Sequence, residues 1–295
     1  MGFILPATLI GDEDAKDQDL GKAKFTQYVF IQNCIVTIGT VPLLIFAREK
    51  PPTPPSESAS RRQEEFNFRK EIRVLASNKS YLLLCVSFTT LYGVYTAVGA
   101  VVSALTKPYG FSPTHNAIFG GTFILSGVTG SFVVSMILDK TQKFKRIINI
   151  IGFCSILSII AGYFTLPTGN VALFSINLVF VGASVIPVIP VSYAFAVELT
   201  YPCPEAMSNG MMILPSQIFG AALGVLAGVI CEMPADPKDG PLYTLTLFIA
   251  SAIVSFVCSF FIKEELRRLK PKKAMEEECL MDGSGNLLPK ENNVF

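Results

Sequence analysis

Tyr92 and Tyr95 stand three residues apart in a long uncharged apolar run, so on a helix their rings share one face. A quaternary ammonium cannot hydrogen-bond and is held by aromatic faces, which makes such a pair a candidate cation site. The plainer reading is two interfacial or packing tyrosines. Gln217 sits about ten residues into another such run, near the middle of a membrane span. An unpaired amide at that depth costs about 2 kcal/mol or more. It is expected to face the interior or a water-filled cavity, or to bond one helix to the next. Asn177, Gln32 and Asn33 pose the same choice.

Pro187 and Pro190 fall inside a third run, and Pro215 falls in the run that holds Gln217. Each removes a backbone donor and bends its helix, and the freed carbonyls of bent helices can face a transport pathway. Prolines without that role are also common in membrane helices. At the ends of the runs stand Asp139, Lys140, Lys145 and Arg146, with Glu198 and Glu205 on the same side. Acids and bases so placed either pair between helices, holding one conformation shut, or are solvated helix ends. No run holds a carboxylate or a histidine, so an intramembrane proton relay has no acid or base to use there. His115 is the only histidine and falls in a loop, which excludes a Ser-His-Asp triad and a His-based metal site. Seven cysteines form no CxxC or Cys/His spacing, and five of them lie in apolar runs as packing residues. Nothing calls for a cofactor or a metal.

The elements that must position these residues are membrane helices. Of 295 residues, 51% are hydrophobic and only 16% charged, well below the charge of a soluble domain. Roughly 20 uncharged residues cross a bilayer as a helix. Seven runs qualify: 25–47, 80–106, 116–138, 147–166, 171–197, 208–231 and 242–262. Backbone polar groups in lipid must be satisfied internally, and the alternating segments of a β-barrel are absent, so the fold class is all-α integral membrane. Lys and Arg number eight in 48–79, four in 139–146 and seven from Lys263 onward, against five on the alternate side. The positive-inside rule then puts the start of the chain outside and its end in the cytosol. The net charge of +1 argues neither for a nucleic-acid partner nor for an acidic one, and no nucleic-acid partner is expected. The basic stretch Lys263 to Lys273 is a topology determinant expected to touch anionic lipid. The sequon Asn78-Lys-Ser80 falls on the cytosolic side and should be unused.

The spacing is one helix, a Pro-rich basic linker of some thirty residues, then six helices with short loops. A basic central loop before a compact six-helix bundle is how the second half of a twelve-helix major facilitator begins. Several strings resemble one branch of that superfamily, the feline leukaemia virus subgroup C receptor family of haem or choline carriers. Gly2-Phe-Ile-Leu-Pro6 is similar to its fifth helix, Arg48-Glu-Lys-Pro-Pro-Thr-Pro-Pro-Ser56 to its central loop, and Phe195-Ala-Val-Glu-Leu-Thr-Tyr-Pro202 to the cytosolic end of its tenth helix. Gln217-Ile-Phe-Gly220 is similar to its eleventh helix and Leu138-Asp-Lys-Thr141 to the loop after its eighth. The outer loop Lys107-Pro-Tyr-Gly-Phe-Ser112 resembles its least characterised member most.

The resemblance implies a partial major facilitator fold, helices 6 to 12 of twelve. Residues 1–24 would end the fifth helix and form an extracellular loop, 25–47 the sixth helix, 48–79 the cytosolic central loop, 80–262 the six-helix transporter bundle, and 263–295 a cytosolic tail. An N-terminal half would be the partner, bringing an aromatic of the first helix to the ligand; this sequence contains no Trp. Gly93, Val94, Tyr95 and Thr96 match the seventh-helix segment whose tyrosine holds the head of choline, and Gln217 matches the eleventh-helix glutamine. Tyr95, Gln217 and Tyr92 are thus implied in substrate binding. Asp139 and Glu198 match family positions and lead the gating candidates, with Lys140, Glu205, Pro187 and Pro190. The implied activity is alternating-access transport of choline, a related small cation, or haem, in a multi-pass protein of the plasma membrane; the uncharged spans favour uniport or coupling through the missing half. Two alternatives are open: a seven-helix receptor with an outer N terminus, or a truncated product without transport activity. The receptor reading lacks an outer Cys pair, an Asp/Glu-Arg-Tyr motif and Asn-Pro-x-x-Tyr, and an enzyme reading lacks any nucleophile-base pair.

Overall fold

In a computed structural model of the chain, residues 18–46, 68–234 and 236–264 are described. The strings at 2–6 and 48–56, and the basic stretch beyond Glu264, lie outside them. The described residues form helices α1 (Gln18–Phe46), α2 (Phe68–Ser77), α3 (Lys79–Thr106), α4 (Pro113–Thr141), α5 (Phe144–Thr165), α6 (Val171–Val185), α7 (Val188–Thr200), α8 (Glu205–Glu232) and α9 (Asp239–Phe261). Among the described residues, seven stretches are long and apolar enough to cross a membrane, α6 and α7 counting as one. α1 buries none of its described side chains, whereas the other six spans pack together.

Side-chain caps set several helix ends, and they carry the helices past the apolar runs. Asn78 precedes α3 and accepts the Tyr81 N–H at 3.1 Å; Asn170 does the same for α6, from Ala172 and Leu173. His115 is not in a loop but in the first turn of α4. Its Nδ1 accepts the Ser112 N–H at 3.2 Å while the Ser112 hydroxyl accepts the His115 N–H at 3.3 Å, a reciprocal capping box behind Pro113. Gly110, at φ +79°, closes the turn Lys107–Tyr109 between α3 and α4 in a conformation that a side chain would strain. α2 was not anticipated: it occupies the end of the expected central loop, with Leu75 buried at 2% exposure.

The run 171–197 is two helices rather than one. The break falls at Ile186 and Pro187, and α7 continues to Thr200, so Glu198 is in its last turn instead of a loop. Pro190 sits in the first turn of α7, where a backbone donor has no intrahelical acceptor to lose. The carbonyl to which Pro187 cannot donate is that of Ala183. It lies against α4, 2.9 Å from where a Cβ on Gly130 would be, and so contributes to packing.

Lipid gives apolar helices no reason to associate, so close backbone approach and hydrogen bonds must do it. At the α4–α6 crossing a Cβ on Gly182 would meet the Phe123 carbonyl, and one on Gly127 would meet Ile186. Ser87 of α3 and Ser255 of α9 each donate to the other's carbonyl, at 2.9 and 2.7 Å. Ser158 of α5 meets Ser184 of α6 at 3.0 Å, and Thr244 of α9 reaches the Ala227 carbonyl of α8 at 3.2 Å. α3 is central, touching α8, α9, α7 and α4.

Candidate functional site

The middle of α3 carries an aromatic ladder. Phe88, Tyr92 and Tyr95 recur at helical spacing, and neighbouring helices extend the row at both ends. Tyr193 of α7 packs on Phe88 with ring centroids 5.5 Å apart, Phe88 on Tyr92 at 5.2 Å, Tyr92 edge-on to Tyr95 at 5.6 Å, and Tyr95 stacked on Phe123 of α4 at 6.1 Å. Tyr92 is buried, whereas Tyr95 and Tyr193 are partly exposed. The five rings are in contact, but Phe88, Tyr92 and Phe123 are buried, so Tyr95 and Tyr193 carry the ring area open to a solute.

Gln217 joins this row through the α3–α8 contact. A Cβ on Gly93 would come 2.6 Å from the Phe219 ring, and one on Gly220 would press on the Thr96 hydroxyl. Two glycines therefore let the helices close until the Gln217 amide donates to the Tyr92 hydroxyl at 3.2 Å. The helix-to-helix bond that was one reading of Gln217 is present. Gln217 is not buried within the bundle, however; it lies on an exposed side of α8 with Leu214 and Ile218. Its Oε1 and the Tyr95 hydroxyl have no hydrogen-bond partner among the described residues. Such a surface offers rings, one free amide oxygen and one free hydroxyl to a solute, and no charge.

The other polar candidates are elsewhere. Asn177 is buried on α6 where it faces Gly162 of α5, Gln32 is exposed on α1, and Asn33 donates to the Val29 carbonyl of its own helix. Asp139 and Lys140 are exposed in the last turn of α4 and make no salt bridge with described residues. Glu198 is buried at 6% exposure, and Glu205 is exposed in the first turn of α8. Lys145 lies over the Phe260 ring at 5.7 Å.

A buried polar network that sequence reasoning missed ties the same ends of α3, α7 and α8. The Asn78 side chain, besides capping α3, donates to the Leu199 carbonyl of α7 at 2.9 Å. The Tyr81 hydroxyl donates to the Ser208 carbonyl of α8 at 2.6 Å, and the Thr200 hydroxyl donates to that of Ser208 at 3.1 Å. Asn78 was legible only as a sequon; its place just before an apolar run was the available signal of a cap. Tyr193 and Phe123 were missed because only tertiary contact assigns them to the ladder.

Known proteins resemble this chain in the same sense. The family model described as Major Facilitator Superfamily matches residues 20–214. The choline/ethanolamine transporter flvcr2a of Danio rerio is 27% identical over 277 residues, 92% of this chain and 57% of that protein. The choline/ethanolamine transporter FLVCR2 of Homo sapiens is 23% identical over 287 residues, 96% of this chain and 53% of that one. An uncharacterized MFS-type transporter of Caenorhabditis elegans is 26% identical over 292 residues, 96% and 47% respectively. The chain spans about half the length of the curated relatives it matches.

Proposed function

Because this chain belongs to the Major Facilitator Superfamily, we propose that its bundle forms one side of a carrier for a small organic cation of the choline or ethanolamine kind. The observation that carries this reading is the ladder with Gln217 bonded to Tyr92 in mid-span, in a stretch without ionised groups. Ring faces attract a quaternary ammonium, and the amide and phenols suit a hydroxyl on the same small molecule. Haem fits less well, since its two propionates require cationic partners and the middle of these spans has none.

Alternating access in this fold rocks two bundles about a midplane site, so an N-terminal half supplies the other wall. Transport is facilitative or is coupled through the N-terminal half, because the described spans of this half place no acid or base at that depth. The ends of α3, α7 and α8 held by Asn78, Tyr81 and Ser208, with Asp139, Lys140, Glu198 and Glu205 around them, form the cytosolic gate, and the break at Pro187 is its hinge. The protein sits in the plasma membrane with its basic side and tail toward anionic cytosolic lipid. The test is thermal stabilisation of the purified full gene product by choline, ethanolamine and haemin. Choline should raise the melting temperature saturably; stabilisation by haemin alone would overturn the substrate class.

A further inference from the structure

An open groove of about 510 Å³ runs between the α2–α3 junction and the end of α9. Ser77, Lys79, Ser80 and Lys263 line its polar end, and Leu83 and Phe261 its apolar side. Two spans end here, Lys79–Tyr109 and Asp239–Phe261, so Leu83 and Phe261 lie at hydrocarbon depth and both exposed lysines at the headgroup level. Among the described residues, no acidic side chain lines it. Lys79 and Ser80 also open α3, whose dipole adds positive potential.

α2 forms the outer bank. It buries Leu75 against the bundle but leaves Phe68 and Val74 about half exposed beside the exposed Arg69 and Arg73. A short helix with apolar and basic side chains both open to the outside suits the boundary of an anionic membrane. The second groove beside the end of α9, about 490 Å³, is a poorer match: Glu264 lines it, and its Lys145 already lies over Phe260.

We propose that the α2–α3–α9 groove binds an anionic phospholipid of the cytosolic leaflet, with the headgroup between Lys79 and Lys263 and an acyl chain along Leu83 and Phe261. The site is separate from the aromatic ladder and does not depend on what the carrier moves. Its occupant braces the junction at which Asn78 joins α3 to α7.

Native mass spectrometry of the detergent-purified full gene product, titrated with phosphatidylserine and in parallel with phosphatidylcholine, tests this. Phosphatidylserine should bind stoichiometrically and preferentially. Lys79→Gln with Lys263→Gln should weaken it about thirty-fold, each lysine near a membrane surface contributing about a factor of five. Lys143→Gln, on the same basic side but outside the groove, should leave binding unchanged, and melting temperatures confirm that all variants are folded. Equal binding of the two lipids, undiminished binding by the double variant, an equal loss with Lys143→Gln, or displacement of the lipid by inorganic phosphate would each overturn the proposal.

Discussion

Replacing Tyr95 separates a ring that holds a cation from a ring that merely packs. The Tyr95 hydroxyl has no hydrogen-bond partner among the described residues, so Tyr95→Phe removes an oxygen and keeps the π face in place between Tyr92 and Phe123. Its cost to substrate affinity should stay within about twofold. Tyr95→Ala removes the face. A cation over an exposed ring gains about 0.5–1 kcal/mol and over a desolvated ring about 2 or more, so a partly exposed Tyr95 is worth about 1.5 kcal/mol, or roughly tenfold in affinity. The alanine also gives up two ring contacts, each worth about 0.5–1.5 kcal/mol of stability, and this would confuse the result. Tyr95→Leu restores volume without a π system and isolates the cation term. The assay is the half-saturating concentration for radiolabelled choline uptake by cells expressing the full gene product, with surface abundance measured on the same cells. The expected order is Tyr ≈ Phe, then Leu and Ala together about tenfold weaker. Leucine performing as well as phenylalanine would refute cation binding by this ring and leave Tyr95 a packing residue.

Gln217→Leu should keep expression and weaken choline uptake about tenfold, since it removes the amide and leaves the buried Tyr92 hydroxyl without its partner; unchanged uptake kinetics would make the bond purely structural. Gly182→Ala should lower stability by about 1–3 kcal/mol, because its methyl meets the Phe123 carbonyl and a backbone cannot turn aside. Gly228→Ala, where nothing lies within 4 Å, should be neutral or stabilising by up to about 1 kcal/mol; melting curves in detergent compare the two. Asn78→Ala should cost about 1–2 kcal/mol through the lost cap and the lost bond to Leu199, and Asn78→Asp should recover the cap alone, both read by the same melting curves.

The seven spans were legible because exclusion of charge over some twenty residues is imposed by the bilayer itself, whatever the tertiary fold. Their ends were less so. His115 looks like a loop residue until its pairing with Ser112 is seen, and Glu198 looks like a loop acid although α7 runs past it. Pro187 and Pro190 were visible as helix irregularities, but their positions relative to a first turn decide that only Pro187 marks the break. α2 was readable in principle from Phe68, Ile72 and Leu75 at helical spacing, yet the basic charges around them favoured a linker. Within the site, the shared face of Tyr92 and Tyr95 follows from spacing alone. Tyr193, Phe123 and the reach of Gln217 to Tyr92 do not, because they depend on how closely Gly93 and Gly220 let two helices approach.

Counterflow tests the central claim most directly. Proteoliposomes holding the full gene product are loaded with unlabelled choline and diluted into trace labelled choline, with membrane potential and pH gradient collapsed. A facilitative carrier working by alternating access accumulates the label transiently above equilibrium, and Tyr95→Ala slows that accumulation about tenfold at the same concentration. No overshoot in the unaltered protein, or one that appears only when a proton gradient is imposed, would contradict the account.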